Sequence, residues 1–317
     1  MTIALTISVI ICTSNRASDL RQTLSSLADV CVPGEMPTEL IVVDNASTDD
    51  TAEVVKSCCL PNMSVRYIHE PRQGKGYAYN TGLAAAGGEI IILTDDDVRP
   101  PNNWLEGMVR PILDGRADLV AGGVTIAKHL QREWMKPSHK DLLASTENFD
   151  TLHPVGALGA NMAFSRDVLT KIPAFDVELG PGALGFCDDN LFSNQAKHAG
   201  YVIASAFHAS VEHHFDPARL THASWLKRAV KQGQSGAYLA HHWEHQEIPD
   251  VRLRIIKRSL RLLQSRWLYQ SECRIQEGIP VWEMDIVGSL AFYKQFLIER
   301  QKPRNYEKHG LVKRSTL

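Results

Sequence analysis

Three short runs constrain this chain most: Ile7 to Cys12, Leu40 to Val43 and Ile90 to Leu93 are apolar at nearly every position. A strand of that kind has no side to give to water, so it must lie in a sheet covered on both faces. Helical stretches alternate with these runs. Leu20, Leu24 and Leu27 recur on one helical face behind Ser18 as a candidate N-cap. A second helix is expected over 50–57. After a shorter strand at Val65 to Ile68, a third spans Lys75 to Ala86 and stops at Gly87-Gly88. A fourth, opening at Pro101, carries Trp104, Leu105, Met108 and Val109 inward. The alternation predicts an α/β fold with a doubly wound, mostly parallel sheet flanked by helices. Such sheets bind ligands beyond the carboxyl ends of their strands. Three polar clusters, Thr13 to Arg16, Asp44-Asn45 and Asp95 to Asp97, each follow a strand and are therefore expected to share one rim.

From about Thr125 to Val155 no period is evident, which predicts a surface excursion. Motif-rich sequence returns from Gly156 to His214, and the rest reads as helices over 224–242, 250–269 and 282–299. The expected organisation is a sheet unit over about 1–215, divided near 124/125, with a helical C-terminal extension over 216–317. With 34 Lys+Arg against 36 Asp+Glu, the formal net charge of −2 argues against a nucleic-acid binder. Six cysteines without a CxxC pair suggest reduced, mostly buried thiols in a cytosolic protein. The apolar start, Met1 to Cys12, runs straight into Thr13-Ser14-Asn15-Arg16 and reads as a strand rather than a signal peptide. No run of roughly 18 apolar residues calls for a transmembrane helix. The expected location is cytoplasmic.

The candidate chemistry lies in carboxylates. Adjacent acids at Asp95-Asp96-Asp97 repel one another unless a cation or strong donors sit among them, and hard divalent ions bind carboxylate and diphosphate together. The plain alternative is a solvated turn ahead of a helix. Asp44 is placed to accept hydrogen bonds from a base or ribose, though Asp44 to Asp49 also has the composition of a turn. Arg72-Gln73-Gly74-Lys75-Gly76 precedes a helix and suits an anionic group, but it is neither a P-loop nor a dinucleotide fingerprint. Asp188-Asp189 opens a helix, either as a cap or as a general base. His208, His213 and His214 accompany a late strand. His241 and His245, one turn apart, read as a wet helix face, and zinc chemistry lacks its usual motifs.

Taken together, these residues resemble inverting glycosyltransferase family 2, which has a GT-A fold. The resemblance runs through Val9 to Arg16, Ile41 to Asp49, Asn80 to Glu89 and the DxD-type Asp95-Asp96-Asp97. It continues through Gly159 to Phe164, Phe175-Asp176 and Asp188-Asp189, covering about two thirds of the chain. It implies that Thr13, Asn15 and Arg16 line a nucleotide pocket, that Asp44, with Asn45 beside it, contacts the uracil or ribose, and that Arg72 and Lys75 lie near the donor. Asp95 and Asp96 would hold the sugar-nucleotide. Asp97 would be the first metal ligand, with Asp95 and either His213 or His214 completing the site around Mg²⁺ or Mn²⁺. The catalytic base aligns best with Asp189; the family usually has Glu-Asp here, so a one-residue slide nominates Asp188. Arg228, Gln232 and Gly233 fall where relatives place diphosphate or acceptor contacts. Residues 1–124 would form the nucleotide-sugar half and 125–215 the acceptor and catalytic half.

The implied activity is an inverting glycosyl transfer, of hexosyltransferase type. It would run from a nucleotide-sugar, with UDP-sugars favoured, to a carbohydrate or lipid-linked acceptor in polysaccharide or glycoconjugate synthesis. The rival readings are a sugar nucleotidyltransferase, which would carry a Gly-rich loop where Thr13 to Arg16 stand, and a silent nucleotide-sugar-binding protein, against which the intact acids argue. The basic, amphipathic segment Arg252 to Leu263 is expected to pack on the catalytic unit with its arginines in solvent. Peripheral contact with an anionic membrane is the alternative.

Overall fold

The computed structural model describes residues 6–150, 154, 156–273 and 275–314, so Met1 to Leu5 and the end of the expected excursion, Thr151 to His153 with Val155, lie outside the described residues. Eight strands form one sheet: β1 (Ile7–Thr13), β2 (Thr38–Asn45), β3 (Ser64–Glu70), β4 (Ile90–Asp95), β5 (Val98–Arg99), β6 (Leu119–Ile126), β7 (Asn161–Ser165) and β8 (Ile203–His213). The helices of the first half are α1 (Ala17–Leu27), α2 (Thr51–Lys56), α3 (Lys75–Ala85), α4 (Trp104–Leu113) and α5 (Pro137–Leu142). Then follow α6 (Val168–Lys171), α7 (Asp188–His198), α8 (His222–His242), α9 (Val251–Leu268), α10 (Gln270–Cys273) and α11 (Val281–Glu299).

The strand order is β3-β2-β1-β4-β7-β6-β8-β5. Pairing is parallel across β3, β2, β1 and β4, the half in which the apolar runs lie. The sheet is mixed beyond them: β7 enters antiparallel to both β4 and β6, β6 and β8 are parallel, and the two-residue β5 runs antiparallel to β8. One core layer packs Leu20, Leu24, Leu27, Trp104, Leu105, Met108 and Val109 on one face of the sheet. A second, with Tyr79, Phe164, Phe175 and Phe192, covers the other.

Several local expectations change for identifiable reasons. Helix α1 begins at Ala17 with Arg16 at its N-cap, because the Arg16 carbonyl already accepts Leu20 N–H at 2.9 Å, so Ser18 lies inside the helix. Pro101 makes a turn, its carbonyl accepting from Trp104 N–H, and α4 starts only there. Neither Gly87 nor Gly88 takes a positive φ, so α3 ends on extended Ala86 rather than on a left-handed glycine cap. Gly88 serves close approach instead: a Cβ there would sit 2.5 Å from Ser8 N and 2.7 Å from Ile7 C, both backbone atoms of β1. Gly88→Ala should therefore destabilise the protein by about 1–3 kcal/mol in urea unfolding. Gly87→Ala, whose Cβ meets only the Glu39 side chain at 3.5 Å, should be nearly neutral. Equal stability of the two variants would remove this account of the β1 contact.

Only Cys12 and Cys187 are buried; the remaining four cysteines are partly or fully exposed because they lie in turns and at helix ends, and all six are free thiols. His241 and His245 are not a wet face. Their Nε2 atoms bond the carbonyls of Lys302 and Tyr306, fastening the C-terminal segment onto α8. That segment is also held by Asp176, which accepts from Tyr238 at 2.6 Å, Tyr306 at 2.8 Å and Lys313 at 2.7 Å. No helix among the described residues is long and apolar enough to cross a membrane.

Candidate active site

The strand register builds the rim. Cys12 of β1 stands opposite Asp95 of β4, and Thr13 opposite Asp44 of β2. A cleft of about 1340 Å³ opens over it, with α8 and α11 forming the far wall. Of the residues singled out in the sequence, Thr13, Arg16, Asn45, Lys75, Asp95, Asp96, Asp97, Asp188, Asp189 and His213 line this cleft. Asn15, Asp44, Arg72 and His214 do not line it, and each has a local reason. Asp44 spends one oxygen on Ser47 N–H at 2.9 Å and the other on the Tyr67 hydroxyl at 2.8 Å. Asn15, at φ 53°, accepts from Thr48 N–H at 2.8 Å and so locks the neighbouring loop. Arg72 folds back on Glu70 through two bonds of 2.8 and 2.7 Å. The His214 ring bonds Glu212 at 2.6 Å.

The three consecutive acids are separated electrostatically. Lys75 Nζ holds Asp95 at 2.5 Å, while the Arg16 guanidinium bridges Asp96 and Asp97, each at 2.8 Å. Burial pushes Asp96 up to about 7, although Arg16 pulls the other way. Asp97 is equally buried but is held well below the usual carboxylate range, because His213, Arg16 and Arg219 together outweigh its desolvation. Asp97 and His213 meet because β5 pairs with the end of β8, Val98 opposite His213, and because His214 N–H donates to the Asp97 carbonyl at 2.7 Å. The His213 Nδ1 lies 3.0 Å from the Leu143 carbonyl. A carbonyl only accepts, so Nδ1 carries the proton and Nε2 points at Asp97 Oδ2, 3.3 Å away.

A divalent ion fits this corner, as one half of a site. Asp97 Oδ1 is buried with no hydrogen-bond partner. An imidazole whose Nδ1–H is tied to a backbone carbonyl is the usual form of a metal-ligating histidine. No group of three or more His, Cys, Asp or Glu among the described residues forms a complete metal site. Asp97 and His213 would offer such an ion one carboxylate and one imidazole, with its remaining positions left to other oxygen donors.

Across the cleft stands the second pair of acids. Gly182 presses on Gly74, where a Cβ would come within 2.7 Å of the Gly74 Cα, and Lys75 N–H donates to the Pro181 carbonyl at 2.8 Å. Those contacts draw the loop before α7 onto the start of α3. They also bring Asp188 and Asp189 within electrostatic reach of Lys75 and Asp95. Asp188 is buried beneath Gly180, whose Cβ would meet its carboxyl at 2.7 Å. Asp189 is half-buried, and its Oδ2 accepts from Gly159 N–H at 3.0 Å. Burial, with the charge of Asp189 added, pushes Asp188 up to about 7; burial raises Asp189 as well, against the Gly159 hydrogen bond.

On the far wall, Arg228, Gln232 and Gly233, which the resemblance had named, line the cleft, whereas Arg219, Lys227 and Lys231 had not been singled out. Arg219 lies 3.6 Å from Asp97, and Lys227, Arg228 and Lys231 of α8 face the cleft with Asp285 and Phe292 of α11. Arg228 is the telling case. It is half-buried over the Phe186 ring at 5.3 Å, bonds the Leu142 carbonyl, leaves a buried Nε without a partner, and pairs with no carboxylate among the described residues. Burial, with repulsion from Arg219, lowers its pKa to about 9. Lys227, Arg228 and Lys231 do recur on one helical face, a signal visible in the sequence only once that face is known to look into the cleft.

A family model for glycosyl transferase family 2 matches residues 8–172. Glycosyltransferase AglE of Haloferax volcanii is 34% identical over 209 residues, covering 63% of this chain and 64% of that protein. Glucosyl-3-phosphoglycerate synthase of Mycobacterium tuberculosis is 29% identical over 208 residues, covering 55% and 59%. The chain thus spans under two thirds of the length of these relatives. Among solved structures, the mannosyltransferase PcManGT from Pyrobaculum calidifontis, in complex with GDP-Man and Mn²⁺, superposes with a TM-score of 0.60 at 20% identity, covering 95% of this chain and 88% of that one. Staphylococcus aureus TarS 1-349 gives 0.51 at 20% identity, covering 72% and 65%. These likenesses place the architecture in the GT-A type.

Proposed function

The chain belongs to glycosyl transferase family 2, and on that premise we propose that it moves a sugar from a nucleoside-diphosphate donor to an acceptor hydroxyl by metal-assisted single displacement with inversion, Asp189 acting as base. The observation that carries this reading is the gathering of Asp97, Asp189 and the unpaired Arg228 in one cleft. A half-buried cation without a carboxylate partner suits an anionic ligand, because a partly desolvated charge is stabilised by one of opposite sign. Arg228, with Arg219 and Lys231 nearby, suits a diphosphate whose far end reaches Asp97. A divalent ion held by Asp97 and His213 would supply Lewis-acid neutralisation of the departing diphosphate.

The chain's own residues do the rest. Arg16 and Lys75 hold the three consecutive acids in place in the free protein. Asp189, fixed by Gly159 N–H, takes the proton from the acceptor oxygen as that oxygen bonds to the anomeric carbon. Burial raises the basicity of Asp189, and the charge of Asp95 adds to that. UDP-sugars come first in the donor panel from the sequence resemblance, and the mannosyltransferase's GDP-Man complex adds GDP-mannose. The acceptor is a carbohydrate or lipid-linked hydroxyl. Donor hydrolysis across UDP- and GDP-linked hexoses, with and without Mn²⁺ or Mg²⁺, tests the reading; no metal-stimulated turnover of any donor counts against it.

The raised acids set a pH dependence. A base must be ionised, and a base whose pKa is raised becomes protonated earlier as the medium turns acid. With burial raising Asp189 beside the raised Asp188, kcat should fall on the acid side at a higher pH than an ordinary carboxylate would set and level off above it, the apparent pKa belonging to the pair. A rate constant unchanged down to about pH 5 would argue that neither acid is the base.

A further inference from the structure

Helix α9 does not hide its apolar residues as the sequence led us to expect. Leu253, Ile256, Leu260, Leu263 and Trp267 recur at steps of three and four, on one side of the helix, and are 47–71% exposed. Leu268 and Tyr269 continue the patch, and the Tyr269 ring lies tilted against Trp282 with ring centroids 5.7 Å apart. The other side of α9 packs on α11 through Val251, Ile255 and Leu262 and through the Arg266–Glu283 ion pair. The helix also carries Arg252, Arg254, Lys257, Arg258, Arg261 and Arg266 with no acidic residue. Arg254 rests on Tyr293, but Arg252, Lys257, Arg258 and Arg261 have no ion-pair partner among the described residues.

We propose that α9 binds an anionic lipid surface, lying in the headgroup layer with the stripe from Leu253 to Trp267 turned into the acyl boundary. Charge selects this occupant. The three-and-four spacing would also suit a second helix, but pairing two copies of α9 would bring Arg252, Arg254, Lys257, Arg258 and Arg261 of each copy against the same five of the other, with no acidic residue on α9 to offset them. A bilayer rich in anionic headgroups satisfies the same stripe and attracts the flanking cations. Long Arg and Lys stems reach up to headgroups while Trp and Tyr rings sit at that depth. The consequence reaches the cleft, because α11 supports α9 on one side and lends Ser289, Phe292 and Tyr293 to the cleft on the other. Tyr293 belongs to both, lining the cleft and carrying Arg254. The surface inference stands independently of the transferase reading.

The test is sedimentation of the full chain with phosphatidylcholine vesicles, with and without phosphatidylglycerol. The protein should sediment only with the anionic vesicles, and less so as salt shortens the Debye length from ~10 Å at 0.1 M to ~3 Å at 1 M. Each basic side chain near the surface contributes about fivefold in partitioning, so Lys257→Gln/Arg261→Gln should weaken binding by about 25-fold. Leu260→Glu/Leu263→Glu, at positions already 61% and 67% exposed, should abolish binding while leaving the circular dichroism spectrum unchanged. Wild-type protein left in the supernatant with anionic vesicles would overturn the proposal, as would undiminished binding by the Leu260→Glu/Leu263→Glu variant. A dimer in solution that this variant converts to monomer, without vesicle binding, would assign the stripe to a second copy and overturn it equally.

Discussion

Asp189→Asn should lower turnover by about 10²–10⁴-fold while donor affinity stays within about twofold of wild type. The amide keeps the shape of the side chain, and its oxygen can still accept from Gly159 N–H, so the loop before α7 should hold its place against α3. What the amide lacks is the capacity to take a proton from the acceptor hydroxyl. The loss should therefore appear in kcat, with nucleotide binding by calorimetry nearly unchanged. Asp188→Asn separates the two neighbours. Asp188 is packed beneath Gly180 and does not take the Gly159 hydrogen bond that fixes Asp189, so Asp188→Asn should reduce the rate less than Asp189→Asn does. If Asp188→Asn is the more damaging variant and Asp189→Asn turns over at near wild-type rates, the base is misassigned.

Asp97→Asn should erase the effect of the divalent ion on nucleotide binding. The side chain lies against His213, Arg16 and Arg219, and its Oδ1 is the buried oxygen left open. Loss of a carbonyl or carboxylate behind a metal ligand typically costs about 10–100-fold in metal affinity, and loss of the ligand charge itself should exceed that. The measurement is calorimetric titration with nucleoside diphosphate, with and without Mn²⁺. Wild type should show tighter binding with the ion, and the variant the same weak affinity in both. Removing a charge from a buried ionic cluster also costs stability, about 3–5 kcal/mol when one partner of a buried pair is lost. Thermal unfolding and metal-free nucleotide binding must therefore be measured alongside, and metal stimulation that survives in a folded variant would move the ion away from Asp97.

The alternation of buried strands and helices was legible because burial on both faces leaves a local mark on composition: Val9 to Ile11, Ile41 to Val43 and Ile90 to Leu93 are fully buried. The clustering of polar groups at the strand ends followed from that alternation. The choice between neighbours did not. His213 and His214 are equivalent in the sequence, yet adjacent strand residues point to opposite faces, and only the pairing of Val98 with His213 decides which ring meets Asp97. Asp44 and Arg72 looked free to meet a ligand, whereas in the fold they bond Tyr67 and Glu70, contacts that nothing in the sequence pairs.

By itself, then, the sequence determined the sheet's parallel half, the long C-terminal helices and the acids able to gather at one rim, because periodicity and apolar content act over neighbouring residues. Tertiary structure alone decided which acids share a cleft, that α8 and α11 wall it with the cations of α8 facing in, and that the stripe on α9 faces outward. Those outcomes turn on which side of each element meets a partner distant in the chain, and a single helix or strand carries no record of that choice.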